Sequence, residues 1–137
     1  MTNISVLENK ISEIRKNLHI LKRYQAVDRK KIMAEIDLKG AMERYLSLAV
    51  QATIDLADAY ISYRKFRKPT NMREIFEILK ENEIIDSGLN KKLGDMTGFR
   101  NALIHGYDNL DYDEVFNVLY NELKDVKKFI KIIENKF

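Results

Sequence analysis

The chain has 137 residues, of which 45% are hydrophobic and 33% are charged, with one proline, five glycines and no cysteine. This composition predicts one domain over residues 1–137 with a real core, and it excludes a disulfide framework and a cysteine-ligated metal site. The net charge of +3 is uneven, because residues 1–68 carry 14 Lys/Arg and 8 Asp/Glu, or +6, whereas residues 69–137 carry 10 and 13, or −3.

Two long helices are predicted in the first half of the chain. From Ile4 to Leu21, apolar residues recur at spacings of three and four, which line one side of a helix and exclude a strand. After the polar stretch 22–31, a second apolar stripe with several small alanines follows. It predicts a long helix from near Asp28 to about Arg64.

The second half predicts one short helix and two longer ones, each with a capping residue at its start. Their predicted limits are Asn71 to Asn82, Asp86 or Ser87 to Gly106, and Asp111 to the C-terminus. The expected fold is therefore all-α, an antiparallel helical bundle of four long helices plus one short helix. Gly94, Gly98 and Ala102 share one helical face, which favours close packing against a neighbouring helix over the approach of a ligand.

Two runs of cationic residues stand out in the basic first half. They are Lys22, Arg23, Arg29, Lys30 and Lys31, followed by Arg64, Lys65, Arg67 and Lys68. Such runs can follow a phosphate backbone. For any single run, however, solvated helix ends and loops are the more common explanation.

A polar motif lies near the end of the fourth predicted helix, within residues 98–108. It contains Arg100, Asn101, His105 and Tyr107, which at about 100° per residue share less than half of the helix circumference. An arginine followed by a histidine five positions later is weak evidence by itself. The whole string Arg-Asn-Ala-Leu-Ile-His-Gly-Tyr is far more specific, and it resembles the HEPN superfamily, in particular its HepT-like toxin branch.

The motif also has a chemical interpretation. Cleavage of RNA without a metal needs a base for the 2′-hydroxyl, an acid for the leaving oxygen and positive charge at the phosphate. His105 can exchange a proton near neutral pH, and Arg100 stays charged and can bind phosphate through two parallel bonds. One motif offers one histidine for two proton transfers, so a two-fold dimer that brings a second His105 is expected.

The resemblance implies roles for individual residues and partners. Arg100 and His105 would be the ribonuclease pair, Asn101 their polar companion, and Tyr107 the residue that a partner nucleotidyltransferase adenylylates. The implied function is a metal-independent endoribonuclease toxin, neutralised by an MntA-like minimal nucleotidyltransferase antitoxin. RNA would be its substrate, and the family commonly forms homodimers with the two motifs at a cleft.

The sequence also predicts structural roles for some polar residues, and the absence of a metal, a signal peptide and a membrane span. The acidic residues Asp108, Asp111, Asp113 and Glu114 favour helix capping over a cation site, so neither a metal nor another cofactor is expected. His19 suggests a surface or packing residue. The N-terminal segment lacks the apolar core of a signal peptide, and no stretch reaches membrane-spanning length. A cytoplasmic protein without a membrane partner is therefore expected.

Two alternative functions remain open at the level of sequence. The chain could be a catalytically silent HEPN domain that binds a nucleotidyltransferase or a nucleotide and is modified at Tyr107. It could also be a purely structural helical dimer, in which Arg100 and His105 form an internal hydrogen-bonded pair.

Overall fold

The computed structural model describes residues 3–105 and 110–137, and within these ranges all regular structure is helical. The all-α class expected from the sequence is confirmed. The helices are α1 Ile4–Gln25, α2 Arg29–Ala34, α3 Ile36–Arg64, α4 Met72–Glu81, α5 Ser87–His105, α6 Tyr112–Asn117 and α7 Leu123–Glu134. A π-helical turn, Val118–Glu122, joins α6 to α7, so that these three segments form one continuous C-terminal rod.

The long helices pack side by side around one apolar core. Helix α1 lies along α3 and against the π-helical turn, whereas α5 lies against α3, α4 and α7. At the end of α1, Gln25 Nε2 donates to the Leu119 carbonyl over 2.8 Å, and in the middle of α1 Arg15 pairs with Glu134 at the end of α7. These two contacts show that α1 and the C-terminal rod run antiparallel.

The centre of the core contains fully buried aromatic side chains. The rings of Phe76 in α4 and Phe129 in α7 meet edge to face, with centroids 5.9 Å apart and both side chains inaccessible to solvent. Truncation of such a side chain to alanine typically costs about 3–5 kcal/mol of stability. This contact therefore ties the short helix α4 firmly to the C-terminal rod.

The second predicted helix is divided in the structure at Glu35. This residue has an extended backbone, with φ −113° and ψ 111°, which separates α2 from α3. In an uninterrupted helix Ile32 and Ile36 would share one face. Instead Ile32 is fully buried and Ile36 is 80% exposed. The break turns α2 so that Ile32 reaches the core. No proline or glycine stands at the break, so the sequence contains no local reason to predict it.

The capping residues predicted for the later helices are confirmed. The Asn71 side chain accepts a hydrogen bond from the Glu74 amide over 2.9 Å at the start of α4. Of the two candidates for α5, Asp86 is the cap, because its carboxylate accepts from the Leu89 amide over 2.8 Å.

The last helix differs from its prediction at both its middle and its end. The π-helical turn interrupts the regular α-helix inside the rod, and α7 ends at Glu134. Phe137, which the apolar stripe had included, is 42% exposed.

Within the described ranges, no helix combines the length and the apolarity needed to cross a membrane.

Candidate active site at the end of α5

Three of the four motif residues lie in the last turns of α5. Arg100 is half-buried, whereas Asn101 and His105 are exposed. Tyr107, the predicted site of modification, lies outside the described residues. The structure describes the positions of Arg100, Asn101 and His105.

Arg100 is held by two neutral amide groups. Its Nε donates to Gln51 Oε1 of α3 over 2.5 Å, and its Nη1 donates to Asn101 Oδ1 over 2.9 Å. Gln51 is fixed in turn, because its Nε2 donates to Asp55 Oδ1 over 2.8 Å. The result is a chain of hydrogen bonds from Asp55 through Gln51 to Arg100 and Asn101.

Among the described residues, no carboxylate is bonded directly to the Arg100 guanidinium. The acceptors on Gln51 and Asn101 are neutral amide oxygens, and the carboxylate of Asp55 reaches this network only through Gln51. A guanidinium held in this way is oriented but keeps its full attraction for an anion. The geometry suits an arginine that receives a phosphate.

His105 lies on a different side of α5 from Arg100. The two residues are five positions apart, which corresponds to about 7.5 Å along the helix axis and about 140° around it. No hydrogen bond joins His105 to Arg100 among the described contacts, so the internal pair that the purely structural interpretation requires is not found. Arg100 and Asn101 are thus brought together, and His105 stands apart.

His105 shares its exposed face with small residues. Gly98 lies three and four positions before Asn101 and Ala102, which in turn lie four and three positions before His105, and all four residues are exposed. A Cβ atom added to Gly98 would meet no described atom within 4 Å. The close packing predicted for Gly98 and Ala102 is therefore not made within the described chain, and only Gly94 of the predicted stripe is buried.

The helix that follows the motif is anchored to α3. Tyr112 donates its hydroxyl to Glu43 over 3.2 Å, and burial together with the charge of Glu43 raises the pKa of that phenol. Asp111 caps α6 through the amides of Asp113 and Glu114, as the sequence predicted. These contacts fix the position of α6 against α3.

Gln51 was missed by the sequence argument. It is separated from Arg100 by 49 positions, and nothing near it in the sequence has the character of a motif. The one local signal is its spacing of four from Asp55, which places both side chains on the same face of α3. A contact between helices was needed to identify it.

Comparison with known proteins gives a consistent result. The family model described as "Ribonuclease HepT-like" matches residues 14–133. A tRNA nuclease HepT of Aphanizomenon flos-aquae is 28% identical over 137 residues, covering 98% of this chain and 93% of that protein. An mRNA nuclease HepT of Shewanella oneidensis is 29% identical over 131 residues, covering 94% and 96%.

A solved structure with the same fold adds information on partners. The tri-AMPylated HEPN toxin of Shewanella oneidensis, in complex with MNT antitoxin, superposes with a TM-score of 0.86 at 26% identity. The match covers 94% of this chain and 96% of that one.

Proposed function

Because this chain belongs to the family of HepT-like ribonucleases, we propose that it is the endoribonuclease toxin of a toxin–antitoxin pair, acting without a metal. One observation carries the assignment of the site: the Arg100 guanidinium is fixed by neutral amides on the helix that also presents an exposed His105. The relatives named as tRNA and mRNA nucleases support RNA as the substrate. A cytoplasmic location is part of the proposal, and the absence of cysteine is compatible with it.

The proposed chemistry is an in-line transfer within the RNA backbone. His105 removes the proton from a ribose 2′-hydroxyl, whose oxygen attacks the adjacent phosphorus and displaces the 5′-oxygen of the next nucleotide. The products are a cyclic phosphate and a free 5′-hydroxyl. Arg100 stabilises the additional charge on the phosphate oxygens, and Asn101 keeps the guanidinium in place.

The leaving oxygen needs a proton, and a second copy of the chain can supply it. The exposed face of Gly98 and Ala102 is nearly free of side-chain bulk, so an identical helix can approach it closely. A two-fold axis through this face would bring the two His105 side chains towards each other. We therefore propose a homodimer with the active site at its interface.

Regulation would act through Tyr107 and a nucleotidyltransferase antitoxin of the MntA type. The AMPylated state of the Shewanella toxin and its complex with MNT antitoxin support this part of the proposal. Transfer of AMP from ATP to the phenol oxygen releases pyrophosphate and adds a negatively charged group two residues from His105. That group would occupy space and repel the phosphate of the substrate.

The test of the catalytic proposal is RNA cleavage in excess EDTA. Purified protein should cleave a mixed pool of cellular RNA, and His105→Ala should lower the rate at least about 100-fold, because a positioned acid–base group contributes that much or more. Lys91→Ala, an exposed change in an earlier turn of α5, is the matched control and should cleave at the normal rate. Equal activity of wild type and His105→Ala would refute the proposed role of His105.

The test of the dimer uses Gly98→Glu. Two glutamates facing each other across the proposed axis would separate the subunits, and cleavage would be lost with the dimer. Glutamate is the better helix former by roughly 0.5 kcal/mol, so the monomer should not be destabilised. Light scattering and cleavage are measured together, with Gly88→Glu in the first turn of α5 as the control. A Gly98→Glu monomer with full activity would contradict the shared site.

A further inference from the structure

A basic groove lies between α1 and α7. Its volume is about 310 Å³. Its lining consists of Arg15, Leu18, His19, Lys22, Lys127, Ile130 and Lys131. The floor is aliphatic, and both walls carry cations. His19, expected from the sequence to be a surface or packing residue, is an exposed member of this lining.

The groove has a clear excess of positive charge. Arg15 is paired with Glu134 by two hydrogen bonds of 2.5 Å, and those bonds, with Lys131 acting at longer range, hold the pKa of Glu134 below its usual range. Among the described residues, no carboxylate lies within ion-pair distance of the ammonium groups of Lys22, Lys127 and Lys131. Three cations are therefore left for a ligand.

Two arginines of the cationic runs seen in the sequence are already ion-paired within the bundle. Arg29 pairs with Asp113 over 2.7 Å and lies 4.8 Å above the ring of Phe116. Arg67 is bonded to two glutamates of α4. The structure instead combines Lys22 of the basic first half with two lysines of the acidic second half, which no sequence window would group.

The groove and the candidate active site lie on different sides of the bundle. The groove is formed by α1 and α7, whereas the network of Arg100 joins α5 to α3. The hydrogen-bond network of Arg100, Asn101, Gln51 and Asp55 contains one cation and one acid, so it offers little net positive charge. An RNA strand carries a negative charge at every phosphate, so contacts beyond the cleavage site are needed for strong binding.

We infer that the groove between α1 and α7 binds the phosphate backbone of the RNA substrate, away from the bond that is cleaved. This inference rests on the proposed function, because it takes RNA as the substrate. Lysine ammonium groups contact phosphates without distinguishing bases. The groove would thus raise affinity for RNA of any sequence and leave the choice of the cleaved bond to the active site.

The test compares two variants of equal charge. Lys22→Gln/Lys127→Gln/Lys131→Gln removes the unpaired cations of the groove. Lys16→Gln/Lys30→Gln/Lys68→Gln removes three exposed lysines elsewhere. Binding of a fluorescent 2′-O-methyl RNA, which cannot be cleaved through its 2′-oxygen, is measured by anisotropy over a range of salt concentrations. The groove variant should bind about 10-fold more weakly at 0.1 M salt, and the slope of log affinity against log salt should fall by about 2.

Each outcome decides the inference separately from the nuclease assignment. Unchanged binding by the groove variant, or an equal loss in the control variant, overturns the inference even where RNA cleavage persists. Binding of poly-glutamate that equals that of RNA and is lost in the same variant also overturns it, in favour of an acidic protein partner. A selective loss of RNA binding supports the inference, including in a protein that proves unable to cleave.

Discussion

Two arginines in this bundle are held in opposite ways. Arg67, in the connection between α3 and α4, is bonded to the carboxylates of Glu74 and Glu81, so that its charge is neutralised where it lies. Arg100, near the end of α5, is bonded to the amide oxygens of Gln51 and Asn101. Arg67 holds the connection against α4, whereas Arg100 is oriented by partners that, among the described residues, are neutral.

The difference shows how similar side chains are divided between structure and function. A guanidinium with two carboxylates has little attraction left for a further anion, whereas a guanidinium with neutral partners keeps it. The two arginines differ in the charge of the groups that accept their hydrogen bonds more than in the exposure of their side chains. Substitutions that exchange or remove these partners test whether the distinction governs activity.

The largest effect is expected for Arg100→Gln. Loss of the charge that stabilises the phosphate should reduce kcat/KM for RNA by about 100-fold or more. The unfolding midpoint in urea should change little, since the side chain is half-buried and its amide partners can bond to water instead. Normal cleavage by Arg100→Gln would remove the contrast between the two arginines as an explanation of activity.

A smaller effect is expected for Gln51→Glu, which gives Arg100 an acidic partner like those of Arg67. The fold should persist, because a glutamate can accept the same hydrogen bond from Arg100 and the bond to Asp55 that it loses lies at the surface of α3. Partial neutralisation of Arg100 should lower kcat/KM by about 10-fold, with a weaker dependence on salt concentration. Ser62→Glu, an added charge three turns further along α3, serves as the control. Full activity of Gln51→Glu would mean that the neutral partner is irrelevant.

The smallest effect is expected for Arg67→Gln and concerns stability alone. Bonds from Thr70 and Arg67 lower the pKa of Glu74, and the bond from Arg67 lowers that of Glu81. Carboxylates with lowered pKa values stabilise the fold above their ordinary pKa range, and this contribution is lost as the pH falls through the lowered values.

Arg67→Gln should therefore be slightly less stable than wild type at pH 7, and the gap should close on acidification. Urea unfolding at several pH values measures this difference in stability, with Lys68→Gln as a control for the loss of one charge. RNA cleavage at pH 7 should be unaffected. A gap that stays constant down to acid pH would exclude the two glutamates as its cause.

Much of the fold was predictable because the apolar periodicity reflects burial. The stripes of α1, α4 and α5 and the capping residues Asn71 and Asp111 lie where the sequence placed them. The break at Glu35 was not predictable, since the local residues favour a continuous helix and only the core decides that Ile32 is buried and Ile36 is not. The same limit applies to contacts between helices that are distant in sequence.

The candidate site was predictable only as far as its own helix. Arg100, Asn101 and His105 belong to one local string, so their proximity followed from helical geometry. Gln51 lies on another helix, and the basic groove combines residues from both ends of the chain, so both required the tertiary arrangement. Tyr107 stays a prediction from the motif.

The π-helical turn in the C-terminal rod has a consequence for how this chain tolerates insertions and deletions. Buried Val115, Leu119 and Leu123 follow at two successive intervals of four, which in a regular helix would rotate the later side chains away from the core. The wider turn absorbs that rotation. Removal of one residue from Val118–Glu122 would let this turn become α-helical, and Val115 and Leu123, then seven positions apart, would still lie within about 20° of the same face. In an alignment of such sequences, a one-residue gap here would therefore mark the loss of the π-helical turn, with α6 and α7 both keeping their buried faces.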